Sequence, residues 1–265
     1  MAAPTIPAAD NIQDALSSRT EDVPRTDGGR AGALRIRPGW IALVEILARL
    51  EREPHRWPLD RAGFQKIAYF ASEVGIPTGF RHARASDGPF STDVNPALTR
   101  LMNDGLVRKG RLGRMSALRS GPTYQDIARA YRAELAEFEP LIDRVVDLLL
   151  RMRTRESEVA ATVVFTAMRL TRQGASPPFE MEIFEAVKDW KPRRRSPLQD
   201  EEIGTAIRHL NMLGWLTARP SAELPLPASE LLVSNDFDRV RSGECEGRNR
   251  DSGFPPPVGP LFAER

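Results

Sequence analysis

The sequence predicts a mainly α-helical protein of 265 residues, with two winged-helix-like units carrying short β-wings and joined by a long helical segment. Three observations carry this expectation. Apolar residues recur at helical spacing in two separated groups, and a stretch of heptad spacing lies between them. Each group closes on a leucine followed four residues later by a glycine and then by apolar residues suited to a strand: Leu101 to Gly105-Leu106-Val107, and Leu210 to Gly214-Trp215-Leu216.

Residues 1–33 are rich in Ala, Pro, Ser, Thr, Asp and Gly without periodicity and read as a disordered leader. The first unit, 36–121, opens with a helix whose apolar stripe is Trp40, Leu43, Val44, Leu47 and Leu50, and which ends before Pro54. Asp60 is placed to cap the next helix, which turns Phe64, Ile67, Ala68, Ala71 and Val74 to one side and stops at Gly75 and Pro77. A turn is expected at Gly88-Pro89. A third helix then starts near Asp93, capped by Ser91, Thr92 or Asp93, with Leu98, Leu101 and Met102 facing inward. Leu106–Leu118 reads as a two-stranded wing with a basic, glycine-bracketed tip.

Residues 124–153 form the linking helix or helix pair. Ala128, Tyr131, Leu135, Phe138, Ile142, Val145, Leu149 and Met152 alternate spacings of three and four, and Pro140 either kinks the helix or divides it. This stripe packs on its own domain or, as the alternative, makes a homodimer seam through 128–152. The second unit, 155–220, holds three helices: Glu156 to Leu170, Glu180 to Trp190, and one carrying Ile203, Ala206, Ile207, Leu210 and Leu213. Residues 221–265 read as a mostly disordered tail.

Composition narrows the function. Hydrophobic residues make up 41% of the chain, enough for a buried core, and the formal net charge is +2. The lone cysteine, Cys245, fits a reducing compartment, and no run of about 18 apolar residues is present, so a cytoplasmic protein without a membrane partner is expected. No metal-binding His-Glu-x-x-His or Cys-x-x-Cys, no phosphate loop, no dinucleotide fingerprint and no Gly-x-Ser-x-Gly elbow occurs. The expectation is a protein without catalytic residues, cofactor or metal. Binding surfaces remain. Between Arg81 and Arg119 eight Arg and Lys face three Asp. Arg108, Lys109, Arg111 and Arg114 lie on the wing, with Arg100 on the helix behind it, where a winged helix meets a phosphate backbone or an acidic partner. Arg193, Arg194 and Arg195, framed by Pro192 and Pro197, form a second basic run.

The run Phe64-Gln65-Lys66-Ile67-Ala68-Tyr69-Phe70, then Gly75-Ile76-Pro77, then Ser86-Asp87-Gly88-Pro89-Phe90, resembles the region downstream of the macrodomain in DarG-type antitoxins, which are bacterial DNA ADP-ribosyl glycohydrolases. The shared marks are the Gln65-Lys66 and Tyr69-Phe70 pairs of one helix and the Gly88-Pro89-Phe90 turn. The similarity extends through Gly121-Pro122-Thr123, Arg151 to Ala161 and Trp190 to Trp215, and so covers most of 36–217. The family more often has tyrosine where this chain has Asp87. Its glycohydrolase activity belongs to an N-terminal macrodomain that this sequence does not contain, so no catalytic residue carries over. The resemblance implies a helical module that binds and blocks a DNA-modifying ADP-ribosyltransferase toxin, in part by occupying its DNA site. Glu134, Glu137, Glu139, Asp143 and Asp147 are the candidate acidic face for such mimicry. The alternative is a winged-helix DNA-binding regulator acting through the basic wing and Arg193–Arg195.

Overall fold

The structure is a computed structural model that describes residues 36–53, 59–86, 88–112, 115–190 and 198–227. Helix α1 (Pro38–Arg52) starts on a proline, whose missing N–H would have had no intrahelical partner at that position. Ile41, Leu43, Val44, Ile46, Leu47 and Leu50 of α1 are fully buried. Helix α2 (Arg61–Glu73) is capped by Asp60, whose carboxylate accepts the Gly63 N–H at 2.9 Å, as its position predicts.

A hairpin follows, β1 (Ala83–Ala85) and β2 (Gly88–Phe90), paired antiparallel from Ala83↔Phe90 to Ala85↔Gly88. The sequence showed only a turn at Gly88-Pro89. The strands are three residues each, too short for an alternation pattern to be read. Helix α3 (Val94–Asn103) has Asp93 at its N-cap, but no side chain closes the cap. The wing is present as β3 (Val107–Leu112) and β4 (Met115–Ser120), in register from Val107↔Ser120 to Leu112↔Met115. Leu59, between α1 and α2, joins its edge by accepting the Leu118 N–H at 2.6 Å.

The linking segment divides at Tyr131, not at Pro140. Helix α4 (Tyr124–Ala130) stops there and α5 (Arg132–Leu150) runs through Pro140 without a break. Pro140 and Ala136, whose carbonyl loses the missing N–H, both lie on the exposed face, where water can take that bond. On the other face Leu135, Ile142, Val145 and Leu149 are buried, and α5 packs against α1 and α2. Half of the stripe that would form a homodimer seam, Leu135, Ile142, Val145 and Leu149, is covered within the chain.

Helices α6 (Thr154–Gln173), α7 (Glu180–Trp190) and α8 (Asp200–Met212) complete the fold. They do not stand apart from the first group: α6 lies on α2 and β2, and the described residues from Arg37 onward form one compact unit. Tyr69 and Phe165 rings lie 6.2 Å apart across this seam, and the Phe70 ring meets Trp215 edge-on at 5.3 Å. Among the described residues no second wing follows α8. A single bridge, Phe179↔Arg219, stands in its place. The tail expected from residue 221 is packed at its start, since Leu224 and Leu226 are buried and Pro225 rests on Gly204.

Candidate partner-binding site

The residues that carry the resemblance converge, with two different fates. Phe64, Tyr69 and Phe70 are fully buried and belong to the core. Gln65, Lys66, Gly88, Pro89 and Phe90 instead border a groove of about 440 Å³, whose lining also includes Arg61 of α2 and Asn95 of α3. Gln65 builds one wall. Its amide donates to the Ser91 carbonyl at 3.0 Å and accepts the Ser91 N–H at 3.3 Å, locking the hairpin's exit onto α2. Glutamine suits this role because one planar amide offers a donor and an acceptor side by side.

Lys66, itself buried, runs beneath Gly88. A β-carbon at Gly88 would stand 3.3 Å from Lys66 Nζ and 3.1 Å from Thr162 Oγ1, and the residue holds φ +108°. Glycine is thus required twice at this point, for the backbone angle and for space. The far side of the hairpin is held by α7: the Trp190 indole N–H donates to the Ala85 carbonyl at 3.0 Å, and Arg84 stacks over the Trp190 ring while donating to the Asp189 carbonyl.

Below the groove, Tyr69 and His82 pack edge to face at 5.2 Å. The Tyr69 hydroxyl and His82 Nε2 have no hydrogen-bond partner among the described residues. Burial pushes the Tyr69 phenol far above its usual range, with a smaller push from Glu73. His82 is lowered to about 4, by burial first and then by the Lys66 charge. Burial also raises the Glu73 carboxyl, opposed by Arg172 at 3.9 Å. The Tyr69–His82 pair is thus neutral near pH 7, two rings packed side by side rather than a hydrogen-bonded acid and base. Among the described residues no group of three or more His, Cys, Asp or Glu stands together as a metal site.

The expected basic surface is only partly available. Arg100 pairs with Asp104 at 3.8 Å, and Arg108 donates across the wing to the Ser120 carbonyl at 3.1 Å. Lys109 and Arg111 are exposed. Arg114, Arg193, Arg194 and Arg195 lie outside the described residues. Three of the five carboxylates on the acidic face of α5 are paired with the chain's own arginines. Arg49 of α1 binds Asp143 at 2.6 Å and Glu139 at 2.8 Å as well as Glu45, and Arg151 binds Asp147 at 2.8 Å.

Several site residues had no signal in the sequence. Arg61 and Asn95 open their helices, and nothing local marks them as neighbours. A second, apolar groove of about 690 Å³ lies between the start of α6 and α8, bordered by Met152, Val159, Ala206, Met212 and Leu213. Met212 is 78% exposed there, although its sequence neighbours Leu210 and Leu213 read as inward. No family model matches this chain, and no curated protein matches it.

Proposed function

We propose that this chain is a non-catalytic protein-binding module, comparable to the toxin-neutralising region of DarG-type antitoxins, whose partner is an ADP-ribosyltransferase. One observation supports the reading above the others: Gln65, Lys66, Gly88, Pro89 and Phe90 of the resembling motif gather around one groove, and Phe64, Tyr69 and Phe70 belong to the core. A motif that served packing alone would have no reason to border a groove that also carries a partly exposed phenylalanine. Mimicry of DNA by the acidic side of α5 is not part of the proposal, because Glu139, Asp143 and Asp147 are already paired.

The test is calorimetric titration of the purified chain with a DNA-modifying ADP-ribosyltransferase, chosen from the neighbouring reading frames if one encodes it, at low and at high salt. A complex whose affinity changes little with salt, and which stops the transferase from modifying DNA, is the expected result. Absence of a complex would overturn the reading. The alternative, a DNA-binding regulator, draws on Lys109 and Arg111, which have no ion-pair partner among the described residues. In that case a gel shift on duplex DNA would weaken steeply with salt, with a log–log slope of about −4 to −5 for some five phosphate contacts.

A further inference from the structure

The two outer edges of the wing differ. On β4, Leu118 N–H leaves the sheet to donate to the Leu59 carbonyl at 2.6 Å, and Ser120 N–H donates to Glu51 at 2.8 Å. Both amides therefore face away from β3. Antiparallel pairs alternate between those that exchange hydrogen bonds and those that turn N–H and C=O outward. The register partners of Leu118 and Ser120, which are Lys109 and Val107, thus face outward on β3, and so does Arg111 opposite Ser116. Val107 is buried, whereas Lys109 and Arg111 are exposed, and among the described residues nothing bonds to the N–H or the carbonyl of either. One edge of the wing is closed and the other is open. Lys109 and Arg111 lie on one face of the strand, two positions apart, and neither has an ion-pair partner among the described residues. Gly113 and Arg114, the turn beyond them, lie outside the described residues and bring no acid.

We propose that the open edge of β3 accepts an extended segment of the protein partner as a third strand of the wing, with acidic side chains at alternate positions opposite Lys109 and Arg111. This rests on the protein-binding reading above. The backbone selects the class of occupant. Each outward-facing residue offers an N–H and a C=O side by side, which another peptide chain meets with an acceptor and a donor at the same spacing. A phosphate backbone also suits the two cations, but it only accepts, and would leave the Lys109 and Arg111 carbonyls without a donor. The side chains select the charge of the occupant. A second copy of β3 would set these cations against their own kind, and like charges directly opposite each other are destabilising. Acids at alternate positions instead place one carboxylate against each cation, because residues two apart on a strand share a face. Addition has one place to occur, since Leu59 and Glu51 already occupy the edge of β4.

The test uses the full chain and fluorescence anisotropy at low salt, with three labelled peptides. One alternates glutamate and valine, the second is its glutamine twin, and the third keeps the glutamates but is N-methylated at every backbone amide. The glutamate peptide should bind about tenfold more tightly than the glutamine twin. The N-methylated peptide, with the same charges and no N–H to give, should lose about tenfold or more. On binding of the first peptide, hydrogen exchange should slow at the Lys109 and Arg111 amides, which bond to nothing in the free chain. Lys109→Gln removes one charge and should weaken that peptide about threefold. Lys109→Pro also removes the outward N–H, which belongs to no bond with β4, and should weaken it about tenfold. Equal binding of the glutamate peptide and its N-methylated form would mean that charge alone is read, and would overturn the proposal. So would binding of none of the three at millimolar concentration, or protection that appears elsewhere than at Lys109 and Arg111. If the transferase binds Lys109→Pro as tightly as the unchanged chain, this inference falls and the protein-binding reading stands. If it binds neither, that reading falls and this inference with it.

Discussion

Helices α3 and α8 end in the same way, yet the chain beyond each takes a different form. At the end of α3, Leu106 N–H donates to the Leu101 carbonyl at 2.9 Å and Gly105 N–H to Met102 at 3.1 Å; at the end of α8, Trp215 donates to Leu210 at 2.8 Å and Gly214 to Asn211 at 3.1 Å. The two glycines hold φ of +73° and +69°. One glycine cap, closed by two hydrogen bonds, is thus used twice. After the first, the chain pairs over six residues in β3 and β4; after the second, it makes one bridge. Side chains take over the ladder's work in the second case. Asn211 pairs with both the N–H and the carbonyl of Ala218, and Glu180 accepts the Ser221 N–H at 3.0 Å. Glu51 accepts the Ser120 N–H in the wing in a parallel manner, at 2.8 Å. A shared helix exit sets the direction in which the chain leaves, and the availability of a pairing strand then decides whether a sheet forms. Pro220 has no N–H to give to such a strand.

The comparison can be broken most strongly at Glu180. This carboxylate is 1% exposed and holds Arg208 through two bonds of 3.0 and 3.1 Å as well as Ser221. Glu180→Ala should cost about 3–5 kcal/mol in urea unfolding, because it leaves a partly buried guanidinium and an amide without partners. The paired change with Arg208→Met should recover part of that loss. If Glu180→Ala is as mild as a surface substitution, the ion pair is not what replaces the wing.

Gly121→Ala attacks the first region instead. A β-carbon there would lie 2.0 Å from the Gly105 carbonyl, so the wing's last bond, from Gly121 N–H to Leu106, must shift. A loss of about 1–3 kcal/mol in chemical denaturation is expected, with reduced hydrogen-exchange protection confined to β3 and β4.

The two caps themselves sharpen the comparison. Gly214→Ala meets only Arg144, at 3.9 Å, and should cost about 1 kcal/mol for the backbone angle alone. Gly105→Ala has the same angle and also meets Thr123 at 3.0 Å, so its loss should be larger, about 2 kcal/mol. Equal losses would mean that Thr123 moves aside freely.

The remaining effect is one of pH. His82 titrates near 4 in the folded chain against 6.5 when unfolded, so folding disfavours its protonation. Stability should be full above pH 6.5, decline as the pH falls to about 4, and then level off. The loss is about 1–2 kcal/mol, below what the whole shift would give, since the ring is only half-buried. Lys66 strengthens the effect, and Glu73, held above the ordinary carboxyl range, opposes it by gaining a proton more readily when folded. His82→Gln should flatten the difference in melting temperature between pH 7 and pH 4.5; an unchanged slope would place its origin elsewhere.

Local physics was legible in the residues. The Asp60 cap, the stops at Gly75, Gly105 and Gly214, the span Glu180–Trp190 and the basic wing all arise from interactions within a few positions of each other, which spacing and residue type reveal. The candidate site was half legible. Gln65, Lys66 and Gly88 stood out as a motif, but their neighbours Arg61, Asn95, Thr162 and Trp190 come from four different helices.

The chain's own residue order determined which segments are helical and where they end, because periodicity and caps are short-range. Only the tertiary structure decided that the hairpin is a hairpin. Its three-residue strands are held by Gln65 from one helix and by Trp190, 105 positions from Ala85, and neither bond exists until distant segments meet. The same holds for α5, whose Glu139 and Asp143 are paired only once Arg49 of α1 lies against them. Whether a charge or an apolar stripe remains available to a partner depends on what else has folded onto it.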